Sequence, residues 1–211
     1  MRRFSLSAAA AFLAVAGLGA VPAKAHPHVW VTVKSELVYA PDGTLSAVRQ
    51  DWTFDDAFSA YALQGLDQKP DGTYGDEVLK PLAQVNVDSL KEYGYFTKGK
   101  TAIKAFAFKD PVNYYLTHAD DRLTLHFTLP VEKPVKGSVS VDVYDPTYFI
   151  SFAFDETDPV ALKDAPAGCA MSVTAPAPPT QTTLNESFFS QLTGASDYGA
   201  QFANKIAVKC P

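Results

Sequence analysis

Two of the chain's four histidines fall within three residues of each other, in the stretch Ala23-Lys24-Ala25-His26-Pro27-His28-Val29-Trp30. In extended backbone, residues 26 and 28 point to the same side, so their imidazoles can meet one ion. Pro27 favours that arrangement by biasing the residue before it toward extended conformations. It also lacks the amide hydrogen that the square-planar amino-terminal copper or nickel motif must lose, which excludes that geometry. If the chain is cut after Ala25, His26 gains a free amine beside its own Nδ1, and the two close a six-membered chelate ring. Reference pKa values of roughly 7.7–8.0 for the amine and about 6.5 for imidazole let both ligate near neutral pH at little cost. Nitrogen donors of this kind suit Zn, Ni and Cu, with Co as a further candidate. The competing reading is that His28 only starts an exposed strand and His26 is an ordinary chain end.

The cut itself is expected from the pattern around it. Arg2 and Arg3 precede an apolar run from Leu6 to Val21, and Ala23-Lys24-Ala25 offers the small residues that a signal peptidase reads. At about sixteen alanine-rich residues the run is short for a membrane anchor. Residues 1–25 are therefore expected to be a cleaved signal peptide and residues 26–211 a single periplasmic domain, with no membrane insertion after processing.

Removing Arg2, Arg3 and Lys24 lowers the 18 cations to 15 against 23 carboxylates, for a net charge of about −8. That balance opposes nucleic acid as a partner, since phosphate binding needs clustered Lys and Arg, and it favours cations. The two cysteines, Cys169 and Cys210, pair most economically as a disulfide in an oxidising compartment. Closing a loop of about 40 residues contributes roughly 4 kcal/mol in the chain-entropy description.

Further metal ligands have four candidates. His118 stands beside Asp120 and Asp121 at an expected hairpin tip, and His126 lies on the polar side of a strand, away from Leu125 and Phe127. Asp51 and Asp55 share the polar side of the strand expected to neighbour His28, although Asp55 also suits a helix cap. The set read as metal-ligating is His26, His28, His118, His126 and Asp51, and the residues alone do not choose among the last three.

These residues need elements to position them. Alternation of period 2 runs from His28 to Val38, with Val29, Val31, Val33 and Leu37 inward, and again from Leu45 to Phe54 after the turn Pro41-Asp42-Gly43. A short helix follows Asp55-Asp56, and Asp76 to Tyr93 is helical, with Val78, Leu79, Leu82, Val85 and Leu90 as its apolar stripe. Strands are expected at Ile103–Phe108, Val112–Thr117, Leu123–Leu129, Val139–Val143, Tyr148–Phe154 and Ile206–Val208. A Pro-rich crossing from Ala175 to Pro179 leads to an amphipathic segment, Leu184–Leu192. The aromatics from Tyr114 to Phe154 sit at strand spacing, as core residues do. This is an α+β pattern: an antiparallel sheet or sandwich with a few packed helices, in one domain.

Enzymatic signatures such as G-x-S-x-G, H-E-x-x-H or a Gly-rich phosphate loop do not occur, and the chain reads as a non-enzyme. Two alternatives remain beside metal handling. One is a metal-free subunit of a transport system that docks through strand edges or aromatics. The other is a copper enzyme that begins with a chelating histidine and takes a second imidazole from His118 or His126.

The stretches "HPHVW", "DWTFDDAFSAYALQGLD", "PLAQVNVDSLKEYGYFT", "LTLHFTLP", "YDPTYFISFAF", "APAGC" and "YGAQFANKIAVKC" together resemble a bacterial periplasmic family. It is catalogued as domain-of-unknown-function family 1007, or as a periplasmic component of an ABC-type transport system. The likeness covers essentially the whole mature chain, and the HPH motif maps onto His26, Pro27 and His28. Members are often encoded beside permeases of the nickel/cobalt type, so the resemblance implies an accessory to an inner-membrane metal permease. It carries over no catalytic residue.

Overall fold

The computed structural model describes residues 27–176 and 186–211. The expected leader, His26, the end of the Pro-rich crossing and Leu184 lie outside the described residues.

The amino-terminal alternation forms a hairpin of β1 (Val29–Tyr39) and β2 (Thr44–Phe54), turned at Gly43 with φ +80°. Odd-numbered residues of β1 point inward, as do Leu45 and, past a register irregularity between Leu45 and Ala47, the even-numbered residues of β2 from Val48 on, and every apolar residue expected inside is buried. The same parity carries Ser35 and Gln50 inside as polar residues. Helix α1 (Asp56–Ala62) follows, and the Asp55 carboxylate accepts the Phe58 amide at 2.9 Å, which makes Asp55 an N-cap. Helix α2 (Asp76–Leu90) carries Asp76 and Glu77 in its first turn and buries Leu79, Ala83 and Val87. Val85, expected on that stripe, is 61% exposed instead, because the buried line runs through 79, 83 and 87.

A 3₁₀ turn, Lys91–Phe96, then reverses the chain. Gly94, Tyr95 and Phe96 all adopt left-handed φ, between 45° and 58°, and the Tyr95 and Phe96 rings end up buried. Strands β3 (Thr97–Thr101) and β4 (Ala105–Phe106) replace the single strand expected at Ile103–Phe108. Ile103 sits in the loop between them, 89% exposed. Strands β5 (Val112–Ala119) and β6 (Arg122–Lys136) are joined at Asp120-Asp121, both at positive φ, as a tight two-residue hairpin turn requires. The remaining elements are β7 (Val139–Val143), β8 (Ile150–Phe154), β9 (Val160–Lys163), β10 (Ala170–Thr174), α3 (Glu186–Phe189) and β11 (Asn204–Lys209).

The strands form two sheets. The first runs β5-β6-β2-β1-β8, with β9 also on β1, and the second runs β10-β11-β7-β3-β4. Pairing is antiparallel except at the outer edge of β1, where β8 and β9 join in parallel, one after the other. The architecture is α+β, as the sequence pattern implies, with a mixed first sheet. One half of that sheet's inner face packs on α1, α2 and the 3₁₀ turn; the other half packs on the second sheet. Between the halves runs a buried polar seam, in which the Ser35 hydroxyl donates to Gln50 Oε1 at 2.7 Å and Gln50 reaches toward Thr97.

Cys169 and Cys210 form the expected disulfide. They continue the β10–β11 register, in which Ala170 faces Lys209, and so close the free end of the second sheet. Beyond the opposite end of the β7–β11 pair, Gly199 donates its amide to the Pro146 carbonyl at 2.8 Å. A Cβ on Gly199 would stand 1.7 Å from the Asp145 carbonyl oxygen, so only glycine permits this approach.

Candidate functional site

His28 immediately precedes β1. Its amide donates to the Phe149 carbonyl at 2.9 Å, its ring lies 4.7 Å from the Phe149 ring, and its side chain is exposed. The chain therefore enters the fold with one imidazole held against an aromatic ring at the sheet's edge.

The other expected ligands are placed elsewhere. Asp51 of β2, His126 of β6 and Tyr115 of β5 share one cross-strand row on the outer face of the first sheet. His126 Nδ1 lies 2.6 Å from Asp51 Oδ1, Nε2 lies 2.9 Å from Thr117 Oγ1, and the Tyr115 ring stacks on the imidazole at 4.4 Å. Both ring nitrogens are thus engaged, and the arrangement is a complete polar network across three strands. The structure brings Asp51 and His126 together as neighbours, with Lys34 opposite Asp51 in the same row. His28 is six residues along β1 from Lys34, a separation of about 20 Å at roughly 3.3 Å per residue.

His118 has the parity of the buried Leu116 and so lies on the inner face, edge-on to Tyr74 at 5.1 Å. It faces the opposite side of the sheet from His126. One ion cannot be shared among His28, His118 and His126, and among the described residues no group of three His, Cys, Asp or Glu side chains is placed to hold a metal. Asp55, the fourth candidate, spends its carboxylate on the Phe58 amide and on the Trp30 amide at 2.8 Å. Imidazole and amine donors suit a late transition metal, but the described part of the chain supplies only His28 to such a set.

Sequence reasoning did not find the cavity beside His28. It has a volume of about 680 Å³ and lies between the inner face of the first sheet, Phe58 of α1, the end of α2, the 3₁₀ turn and the segment of Phe189, Ser190 and Leu192. Its lining includes Trp52, Phe96 and Phe152, all buried, and the exposed His28, Phe149, Val85 and Tyr93, which border its opening. The Glu92 carboxylate, with a smaller contribution from burial, raises the Tyr93 phenol above its ordinary pKa, so its hydroxyl at the mouth is neutral.

Asp145 lies on the cavity wall, yet its carboxylate is occupied. It accepts the Thr147 amide and hydroxyl, each at 2.8 Å, and the Ile150 amide at 2.9 Å. Those bonds fix the turn into β8 and hence the position of Phe149. The sequence shows the Asp145-Pro146 turn, and Asp two residues before Thr is the signal for this Asx arrangement. A second polar cluster joins Lys98, Tyr144 and Asp197. Partial burial lowers the Lys98 pKa, but its hydrogen bonds to Tyr144 and Asp197 outweigh that and hold it above its ordinary value. The cluster fastens the Asp197 turn to the second sheet.

Among the described residues no helix is long and apolar enough to cross a membrane. The disulfide is what an oxidising compartment allows.

Comparison with known proteins gives two relatives. An uncharacterized 15.5 kDa protein in the trpE 3' region of Spirochaeta aurantia is 32% identical over 104 residues, covering 48% of this chain and 74% of that protein. An uncharacterized protein of Haemophilus influenzae is 21% identical over 191 residues, covering 88% of this chain and 91% of that protein. The profile of the family described as Protein of unknown function (DUF1007) matches residues 11–210. The chain belongs to that family.

Proposed function

We propose that this protein is a periplasmic accessory of an inner-membrane metal permease, and that it carries one transition metal ion (Zn, Ni, Co or Cu) on His26-Pro27-His28. The observation that carries this reading is the placement of His28. Its side chain is exposed beside the Phe149 ring, two residues in sequence from His26. His26 lies two residues upstream, with Pro27 holding the spacing, and cleavage after Ala25 adds the amine.

Such a donor set is small and surface-mounted. With two imidazoles and an amine, a tetrahedral ion keeps one position open to another ligand. That suits exchange with a partner better than permanent storage. The acidic surface also favours a cation over an anion. The leader pattern, the disulfide and the family resemblance support the periplasmic setting.

The copper-enzyme reading asks for a second imidazole next to the chelating histidine. His118 lies on β5, three strands from β1 and so about 14 Å across the sheet, and His126 is about 20 Å along it, so neither stands in that place.

The test is calorimetric titration of protein beginning at His26, compared with protein carrying one extra residue before it. The reading expects one ion per chain, and at least a tenfold weaker affinity for the extended form and for His28→Ala. Equal affinities in all three proteins would sink it.

A further inference from the structure

We infer that the cavity between the first sheet and α2 is a binding site for one small, uncharged, largely apolar molecule. The cavity opens to solvent on one side, and its volume of about 680 Å³ falls inside the range of small-ligand sites, about 300–1,000 Å³. Aromatic side chains form much of its surface, with Trp52, Phe96 and Phe152 at its depth.

The described lining bears on the charge of the occupant. Among the described lining residues none is Lys or Arg. The one carboxylate there, Asp145, is 4% exposed and already accepts three hydrogen bonds. At the depth of the cavity an anion would meet no Lys or Arg of the described lining, within a chain of net charge −5, and a cation would meet only the engaged Asp145 carboxylate. The other polar lining residues include Asn86, Ser89, Tyr93 and Thr147, which suit a small neutral polar end.

The mouth also carries an apolar rim that a soluble surface has no need of. Val85 is 61% exposed, Tyr93 54% and Phe149 47%, and all three line the opening. An apolar molecule seated there covers them and fills the space behind. His28 borders both this cavity and the proposed metal site, while the remaining walls come from the first sheet, Phe58 of α1, α2, the 3₁₀ turn and Phe189, Ser190 and Leu192.

Two probes that differ by one charge test the inference. N-phenyl-1-naphthylamine is uncharged, and 8-anilinonaphthalene-1-sulfonate is the same ring system with a sulfonate. The chain has two tryptophans, Trp52 in the cavity and Trp30 on the surface, so Trp30→Phe leaves Trp52 as the sole indole reporter. The titration uses chelator-treated protein with one residue added before His26, which removes any contribution from the metal site.

The expected result is saturation at one uncharged probe per chain, quenching of Trp52 emission, and at least tenfold weaker binding of the sulfonate. Val85→Phe, at an exposed position, is expected to weaken the uncharged probe at least fivefold with an unchanged urea midpoint. Trp52 emission that does not respond, several probes per chain, a sulfonate that binds equally well, or undiminished binding by folded Val85→Phe protein would each overturn the proposal.

Discussion

At one end of the molecule, Leu37, Leu45 and Val48 of the first sheet meet Val141, Ile206 and Val208 of the second, and none of the six is more than 1% exposed. At the other end the same strands continue under α1, α2 and the 3₁₀ turn, and a cavity of about 680 Å³ remains. Short aliphatic side chains on two matched sheets interdigitate without remainder. The helical end instead brings large rings, Trp52, Phe127, Phe152 and Phe96, against a helix that approaches the sheet with only one buried line. The seam of Ser35, Gln50 and Thr97 divides the two. The packed end is closed, and the other end keeps an open, apolar space next to His28.

That contrast can be broken by substitution. Leu45→Ala at the closed end is expected to cost about 3–5 kcal/mol, because a fully buried side chain leaves a cavity that rigid neighbours cannot fill. Leu90→Ala, on the half-buried cavity wall, is expected to cost only about 1–2 kcal/mol, since its surroundings are already loosely packed. Urea unfolding measures both, and equal losses would contradict the difference between the ends. Replacing Cys169 and Cys210 by Ser is expected to cost about 2–4 kcal/mol, through the freed loop of 41 residues. The probe-binding cavity should survive that change at temperatures where the protein remains folded.

At the open end, Asp145→Ala removes the acceptor of three hydrogen bonds and is expected to cost about 1–3 kcal/mol. It should also weaken binding of the uncharged probe, because the Thr147–Ile150 turn that places Phe149 loses its tie. The smallest effect concerns pH. Burial, assisted by the Asp110 hydrogen bond, pushes the Tyr95 phenol up to about 12 from the ordinary 10. The folded state therefore keeps this proton when the unfolded chain has lost it. The resulting stabilisation is complete below about pH 10 and is lost as pH rises through 10 toward 12. Tyr95→Phe is expected to reduce the fall of the urea midpoint across that window; an unchanged slope would show that the hydroxyl contributes nothing there.

Local, periodic features were the ones legible in the sequence. The β1–β2 hairpin, α1 with its Asp55 cap, the Asp120-Asp121 turn and the Cys169–Cys210 pairing each follow from residues close together or from a count of two. The parallel addition of β8 and β9 to β1 joins segments more than a hundred residues apart, and no short pattern encodes it. Parity was enough to place His118 inside with Leu116, and to separate it from His126, once strand β5 is followed one residue past Thr117. The cavity could not be read at all, because it depends on how far α2 stands from the sheet rather than on which residues are apolar. Its one trace was Val85, an apolar residue that the helix turns away from the buried line.

The proposed metal ion at His26-Pro27-His28 is open to direct observation by native mass spectrometry of protein purified from the periplasm without chelator. The expected species is a chain that begins at His26 and bears one divalent transition metal ion, lost in His28→Ala protein. A metal-free chain from metal-replete cells, or one whose metal persists in His28→Ala protein, would contradict the proposal.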